Sequence, residues 1–267
     1  MGMLRRTSRR RREYRRRLSF RRKRETKAIF DCRIFTRARL GEDKGTNADF
    51  ALFSHLTQRV ALADGVSRSF HPAAWAEFLV RTLTESDLPL SPSSISTAAE
   101  QFAPVNEADL SWPEAELLRR YGSQSTLMVV EFIPGTSKEI TLRTFAIGDC
   151  LLVRANASSL IDEAFLWPYT ASADFPAVPG SICTSPPHVR GDTHDSVLIT
   201  ASQGDSLFLM TDALGRYFAR SREAGLTLTQ IFPFLESANG FDSWSEMAMA
   251  TGLVDEDDLT LVEIRFT

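Results

Sequence analysis

The hydrophobic and polar positions along the chain predict strands that follow one another as hairpins. Residues 59–63 are apolar apart from the first and indicate a buried strand. Weaker alternation marks two earlier strands, at 28–34 and 51–56. Later strand patterns cover 126–133, 141–147, 151–154, 206–210 and 259–266. The turn residues Pro134-Gly135 predict that the first two of these later strands form a hairpin.

Two segments have helical periodicity. Pro72 is suited to a helix start, and the residues that then share one helical face are Ala74, Trp75, Phe78, Leu79 and Leu83. A second helix is expected from about Pro113 to Tyr121. Residues 226–235 are expected to be partly helical, although Pro233 is unfavourable for a regular helix through its end.

Two stretches are predicted as irregular structure. Residues 85–97 are rich in turn formers and predict a loop. Residues 168–196 are rich in Pro, Gly, Ser and His and predict a long flap. Because helical segments are inserted between strand pairs, the pattern favours an antiparallel α+β fold over a doubly wound parallel sheet.

Charge separates the chain into two unlike parts. Residues 1–27 carry 14 of the 31 basic residues and two of the 34 acidic ones, which gives a net charge of +12, while the remainder carries −15. So dense a run of like charge predicts a disordered arm, with a folded domain at 28–267. The arm could bind nucleic acid, anionic lipid or the acidic body; the alternatives are a solvated tail, or non-native residues from an upstream start codon.

Composition excludes several other classes. The three cysteines are far apart and form no Cys-x-x-Cys pair, so we expect three unpaired thiols and a reducing cytoplasm. No apolar run approaches the roughly 18–20 residues of a transmembrane helix. Neither a Gly-rich phosphate loop nor a His-Glu-x-x-His or Gly-x-Ser-x-Gly motif is present in the sequence.

Aspartates at strand ends are the candidates for chemistry. Asp64 ends an apolar strand, Asp149 lies in a turn between two strands, and Asp212 follows another apolar run. The pair Asp257 and Asp258 precedes the last strand. One such residue is usually only a turn or cap residue. Several together indicate oxygen ligands for Mg²⁺ or Mn²⁺, because charge at the rim of a core is costly unless it is paired or metal-bound.

Six short segments along the chain are informative when they are taken together and in order. They are Asn47-Ala-Asp49-Phe50, Ala63-Asp64-Gly65, Gly122-Ser-Gln-Ser-Thr126, Gly148-Asp149-Cys150, Thr211-Asp212-Ala213 and Asp257-Asp258-Leu259-Thr260. Together they resemble the PP2C-type (PPM) protein serine/threonine phosphatases, in particular divergent bacterial members, across residues 28–267. The resemblance implies two stacked antiparallel β-sheets flanked by α-helices, a four-layer αββα sandwich.

The resemblance also implies a site with two Mn²⁺ or Mg²⁺ ions. Asp49 would hold one metal, partly through water. Asp64 would bridge both metals, and the carbonyl of Gly65 would contact one of them. Asp212 and Asp257 would complete the ligands of the other metal.

Other positions have roles outside the set of metal ligands. Lys44 falls where the family commonly has a phosphate-binding arginine. Asp149 matches a structural turn of the family and is not expected to be a ligand. His188 or His194 would be a general acid if the flap covers the site, and otherwise a solvated loop histidine.

The surroundings of these aspartates depart from the family pattern. Ala48 and Ala213 replace an acidic or amide residue and a glycine, Cys150 replaces the turn serine, and Val66-Ser67-Arg68 replaces a glycine-rich turn. Loss of outer residues commonly weakens metal affinity by about 10–100-fold without abolishing it.

The resulting expectation is a metal-dependent protein serine/threonine phosphatase, in which a water activated by two metals attacks the phosphate ester. The resemblance implies a phosphoprotein substrate and, as in some bacterial members, a partner Ser/Thr kinase; we also expect a monomer. The main alternative is a catalytically weak pseudophosphatase that binds phosphoproteins or a kinase. A nucleic-acid-binding protein that acts through the basic arm is the third possibility.

Overall fold

The structure of the chain is a computed structural model. It describes residues 30–102, 109–133, 139–156, 164–191, 193–194, 196–236 and 240–267. The predicted basic arm at 1–27 and the predicted turn at Pro134-Gly135 therefore lie outside the described residues.

In chain order, the described strands are β1 (Phe30–Arg37), β2 (Phe50–Ser54), β3 (Arg59–Ala63), β4 (Gln124–Ser125), β5 (Leu127–Ile133), β6 (Glu139–Ile147), β7 (Leu151–Asn156), β8 (Phe165–Trp167), β9 (Ser181–Cys183), β10 (Val189–Arg190), β11 (Thr193–His194), β12 (Leu198–Ser202), β13 (Asp205–Met210) and β14 (Leu259–Phe266). The α-helices are α1 (Pro72–Glu85), α2 (Pro92–Gln101), α3 (Trp112–Tyr121), α4 (Asp212–Glu223), α5 (Leu228–Ile231) and α6 (Phe241–Ala250). Short 3₁₀ turns cover Lys44–Thr46, Ser172–Asp174 and Pro233–Glu236.

The described strands form two large sheets and one small sheet, and all the pairings among them are antiparallel. The first large sheet has the order β1-β14-β13-β7-β8, and the second has the order β11-β6-β5-β3-β2 with β12 also paired to β6. The small sheet, β10-β9-β4, lies within the predicted flap and beside it. The predicted hairpin is confirmed, since β5 and β6 pair from Leu127 opposite Ile147 to Ile133 opposite Thr141.

Three apolar layers hold the two sheets and their helices together. One layer lies between the sheets, where Leu62 and Met128 of the second sheet meet Leu209 of the first. Alternate residues of the same strands face outward. The second sheet packs its outer face on α1 and α2. The first sheet packs its outer face on α4, α5 and α6. The four-layer αββα sandwich expected from the sequence is therefore confirmed.

Some helices were not predicted. α2 lies partly within the segment predicted as a loop, because Ser91, Pro92 and Ser94 form a helix start there: the Ser91 hydroxyl accepts from the Ser94 amide. Ile95 and Ala98 then pack in the core. The prediction of a loop at 85–97 was therefore wrong for residues 92–97. α4, α6 and β12 were likewise absent from the sequence-based prediction.

The predicted flap is more ordered than a loop. Of its described residues, β9, β10 and β11 form strands, and the Trp75 indole donates to the Ile182 carbonyl at 3.2 Å. Cys32, Cys150 and Cys183 are all free, as expected. In the described ranges no helix has the length and apolar character needed to cross a membrane.

Candidate active site

Strand register brings the candidate aspartates to one end of the sandwich. Phe50 pairs with Ala63, so Asp49 and Asp64 lie just beyond two neighbouring strand ends. Met210 pairs with Leu151 of β7 and with Leu261 of β14. Asp212, the turn with Asp149 and the pair Asp257-Asp258 therefore reach the same end from the first sheet.

Asp49 is the most buried of the aspartates predicted as metal ligands. Its relative exposure is 8%, and neither carboxylate oxygen accepts a hydrogen bond of normal geometry from the described residues. Burial raises the pKa of Asp49 well above its usual range, and the charge of Asp258 adds to the rise; the nearby Thr260 hydroxyl partly offsets it. A buried carboxylate without hydrogen-bond partners is costly unless it is protonated or binds a cation.

The other aspartates at this end of the sandwich act electrostatically on Asp64. Burial raises its pKa well above the usual range, and the charges of Asp49, Asp212, Asp149 and Asp257 raise it further, in that order. Its backbone is fixed, because the Asp64 carbonyl accepts from the Thr126 amide at 2.8 Å. These neighbours come from both sheets, as the strand registers place them.

Gly65 allows the two loops of the site to touch. Its amide donates to the Ala48 carbonyl at 3.2 Å. A Cβ built on Gly65 would lie 2.7 Å from that carbonyl oxygen and 2.9 Å from the backbone of Pro72. Only glycine fits without displacing the backbone that carries Asp49 and Asp64. Whether the Gly65 carbonyl binds a metal stays a prediction.

Asp212 is the first residue of α4, and Thr211 alone separates it from the end of β13. Its Oδ1 is buried without a hydrogen-bond partner among the described residues, whereas its Oδ2 lies 3.5 Å from Arg216 Nη2. Burial raises the pKa of Asp212, and the charge of Asp257 raises it further, whereas Arg216 lowers it. One oxygen thus stays available to a cation while the other faces a guanidinium.

Asp257 and Asp258 have different surroundings. Asp258 is buried, and its two oxygens accept from the amides of Arg39 at 3.1 Å and Ala48 at 2.8 Å. It therefore ties the segment after β1 to the segment before β2. Asp257 is 40% exposed, and its Oδ1 lies 2.6 Å from Arg39 Nη2. Asp257 is thus the member of the pair that faces the mouth of the site.

Asp149 belongs to the cluster, in line with its place among the strand-end aspartates of the sequence. It is 2% exposed. Burial raises its pKa to about 7, the charge of Asp212 contributes, and Arg216 opposes the rise. Only its place at a strand end, like that of Asp64, could have indicated this location from the sequence. Arg216 and Arg39 were missed entirely.

The remaining predicted residues are placed as follows. Lys44 begins the 3₁₀ turn Lys44–Thr46, and its side chain is not described. His188 Nδ1 lies 3.0 Å from the Cys183 carbonyl oxygen, so its ring contacts its own hairpin. His194 Nε2 lies 3.3 Å from the Tyr169 hydroxyl. The general-acid role of either histidine stays a prediction.

The donor set fits a hard divalent cation. Oxygen atoms of buried aspartates are the ligands that Mg²⁺ and Mn²⁺ prefer, and the unpartnered oxygens of Asp49 and Asp212 are such donors. Within the part of the chain that the structure describes, no three His, Cys, Asp or Glu side chains are already gathered around one point. Mg²⁺ commonly keeps several waters and binds through one or two carboxylates, so a closed protein cage is not required.

Solved structures share this fold. Serine/threonine phosphatase Stp1 from Staphylococcus aureus matches 89% of this chain and 95% of its own, at 13% identity and a TM-score of 0.56. A bacterial serine phosphatase matches 89% of this chain and 98% of its own, at 13% identity and a TM-score of 0.54. The catalytic domain of the serine/threonine phosphatase PstP, solved with two manganese ions, matches 88% and 98%, at 16% identity and a TM-score of 0.50.

These comparisons define the fold class. The matched structures are PP2C-type phosphatases, so the resemblance seen in the sequence is confirmed at the level of the fold. No protein-family model and no curated protein sequence matches the chain. The chain thus has a PP2C-type phosphatase fold with a strongly divergent sequence.

Proposed function

We propose that the chain is a metal-dependent protein phosphatase that hydrolyses phosphoserine and phosphothreonine esters. The observation that carries this proposal is the buried Asp49 carboxylate, which has no hydrogen-bond partner among the described residues and lies beside Asp64 at the end of a phosphatase-fold sandwich. The two manganese ions of the PstP structure support a two-cation site at this end.

The aspartates would hold the cations. Asp49 and Asp64 come from the second sheet, and Asp212 and Asp257 come from the first, so the site would join the two sheets. Bound Mn²⁺ or Mg²⁺ would supply Lewis-acid activation of water and neutralise charge on the phosphoryl oxygens. Asp258 would keep the Asp49 loop in place through its hydrogen bond to Ala48.

A guanidinium at the mouth of the site would orient the phosphate. Arg39 is 31% exposed and lies next to both Asp257 and the Ser67 hydroxyl. Its planar fork suits a phosphate better than the point charge of a lysine does. The phosphate-binding role predicted for Lys44 from the sequence stays a prediction.

The test is hydrolysis of p-nitrophenyl phosphate by the full chain with Mn²⁺. We expect a Mn²⁺-dependent rate, and a fall of at least about 100-fold in Asp64→Asn and Asp212→Asn, since each change removes a charge that would bind the cations. Asp31→Asn is the matched control, because Asp31 is exposed on β1 near the opposite end of the sandwich. Full activity in both site variants would refute the assignment.

A pseudophosphatase remains the alternative. It would bind a phosphopeptide in the presence of Mn²⁺ but release no phosphate. Phosphopeptide binding by the folded chain without any turnover would favour this alternative over the enzyme. The partner kinase, the monomeric state and the cytoplasmic location stay predictions from the sequence.

A further inference from the structure

One arginine bridges two aspartates inside the acidic cluster. Nη2 of Arg216 lies 3.4 Å from Asp149 Oδ2 and 3.5 Å from Asp212 Oδ2. Arg216 and Asp212 are four residues apart on α4, whereas Asp149 comes from the turn between β6 and β7. The guanidinium therefore joins a helix of one layer to a turn between the two sheets.

The surrounding structure keeps this guanidinium in position. Its Cζ lies 5.5 Å from the centre of the Phe175 ring, and Nη2 also lies 3.5 Å from the Pro176 carbonyl oxygen. The turn that carries Asp149 is held from the same segment, because the Tyr169 hydroxyl donates to the Gly148 carbonyl at 2.9 Å. Phe175 and Pro176 thus cover Arg216 on one side.

Arg216 neutralises part of the negative charge of the cluster. Its carboxylates in the described residues are Asp49, Asp64, Asp149, Asp212, Asp257 and Asp258, and its guanidiniums are Arg39 and Arg216. With each of these groups ionised, four negative charges remain. Without Arg216 a fifth negative charge would remain, and it would lie at Asp149, which is 2% exposed.

We infer that Arg216 is a tethered cation that takes the place of a metal ion between Asp149 and Asp212. It is a positioning residue, and it limits how many divalent cations the cluster accepts. The inference rests on the proposed function only in naming the same cluster as a cation site. It goes further by assigning a cation-binding position that the arginine fills and that its removal opens.

The test counts Mn²⁺ bound per chain at saturation, by equilibrium dialysis of the full chain followed by metal analysis. We expect Arg216→Gln to bind one more Mn²⁺ than the wild type and to gain a larger Mn²⁺-induced rise in melting temperature. Arg216→Lys keeps the charge and should match the wild-type count. Arg220→Gln is the matched control, because Arg220 lies one turn further along α4 and pairs with Asp255.

A double variant locates the new position. Adding Asp149→Asn to Arg216→Gln removes one of the two carboxylates, so the count should return to that of the wild type. An equal or lower count in Arg216→Gln than in the wild type would overturn the inference. If Arg216→Gln folds only with Mn²⁺, the added cation has replaced the guanidinium, which supports the inference; failure to fold in both conditions would overturn it.

The test of Arg216 and the test of the proposed phosphatase function can fail independently. A wild-type count of zero would argue against a metal-dependent phosphatase. The difference between Arg216→Gln and the wild type would still decide the role of Arg216.

Discussion

Arg39 Nη2 lies 2.6 Å from Asp257 Oδ1 at the mouth of the acidic cluster. The pair connects the segment after β1 with the segment before β14. Because Arg39 both orients a predicted metal ligand and faces the mouth of the site, we expect Arg39→Gln to lower kcat/KM for a phosphopeptide by about 10–100-fold. Steady-state kinetics at saturating Mn²⁺ would measure this change.

Arg37 provides the matched control for Arg39. It lies two residues earlier and pairs with Asp242 at 4.0 Å and Glu246 at 3.4 Å on α6. Arg37→Gln removes the same charge and should leave kcat/KM within about 2-fold, because these surface pairs contribute little. Equal losses in the two variants would show that a general loss of positive charge, and not the place of Arg39, is responsible.

Gly65 should not tolerate a methyl group. In Gly65→Ala the new Cβ would meet backbone atoms of Ala48 and Pro72 below 3 Å, so the loops that carry Asp49 and Asp64 must separate. We expect a loss of about 1–3 kcal/mol in the free energy of unfolding, measured by urea denaturation. Activity should fall with it.

Gly45→Ala is the control for this change. A Cβ at Gly45 would have no neighbour within 4 Å. Gly45→Ala should therefore change the free energy of unfolding by no more than about 0.5 kcal/mol. If Gly65→Ala were as harmless as Gly45→Ala, the close approach of the two loops would not exist in solution.

The stability of the EDTA-treated protein should depend on pH through Asp149. Burial raises the pKa of its folded-state carboxyl to about 7, whereas the unfolded chain loses this proton near pH 4. Between these values the folded state binds more protons, so the contribution to stability falls as pH rises. From pH 5 to 8 the wild type should lose on the order of 2–4 kcal/mol relative to Asp149→Asn. A difference independent of pH would contradict this account.

Arg59 should be essential for stability away from the site. It is 6% exposed, its Nη1 donates to the Leu83, Ser86 and Leu88 carbonyls at 3.2, 3.1 and 2.7 Å, and its Nη2 lies 2.9 Å from Glu131 Oε1. Arg59→Leu would leave these buried acceptors unsatisfied. We expect a loss of about 3–5 kcal/mol by urea denaturation.

The comparison variant is Arg143→Leu. Arg143 pairs with the same Glu131 at 3.2 Å but is 48% exposed. Arg143→Leu should lower the free energy of unfolding by no more than about 1 kcal/mol. Comparable costs for the two variants would mean that the ion pair itself, and not the buried carbonyl contacts of Arg59, determines the effect.

The fold was largely predictable because the strands have clear patterns. The strand Arg59–Ala63 is uniformly buried, and its apolar run showed this directly. α2 was missed because Ser91 and Pro92 are turn formers that also start helices, and only its packing against the second sheet distinguishes the two. α4 was not predicted, because Asp212 follows an apolar strand pattern and also begins a helix.

The site was predictable only in part. The aspartates stand in recognisable segments, so their convergence could be expected from the order of those segments. The roles of Arg216 and Arg39 could not be, because each depends on a partner far away in sequence: Asp149 is 67 residues from Arg216. Ion pairs of this kind are set by tertiary packing, and local sequence pattern does not reveal them.

We propose that the acidic cluster performs metal-dependent hydrolysis of phosphate esters. Its most direct test is phosphate release from a phosphothreonine peptide by wild-type protein that has been stripped with EDTA and then titrated with Mn²⁺, with Asp49→Asn in parallel. We predict no release from the stripped protein, saturable recovery of release with Mn²⁺ in the wild type, and no recovery at the same Mn²⁺ concentrations in Asp49→Asn. Release that persists in EDTA, or a folded wild type that releases no phosphate at any Mn²⁺ concentration, would contradict the claim.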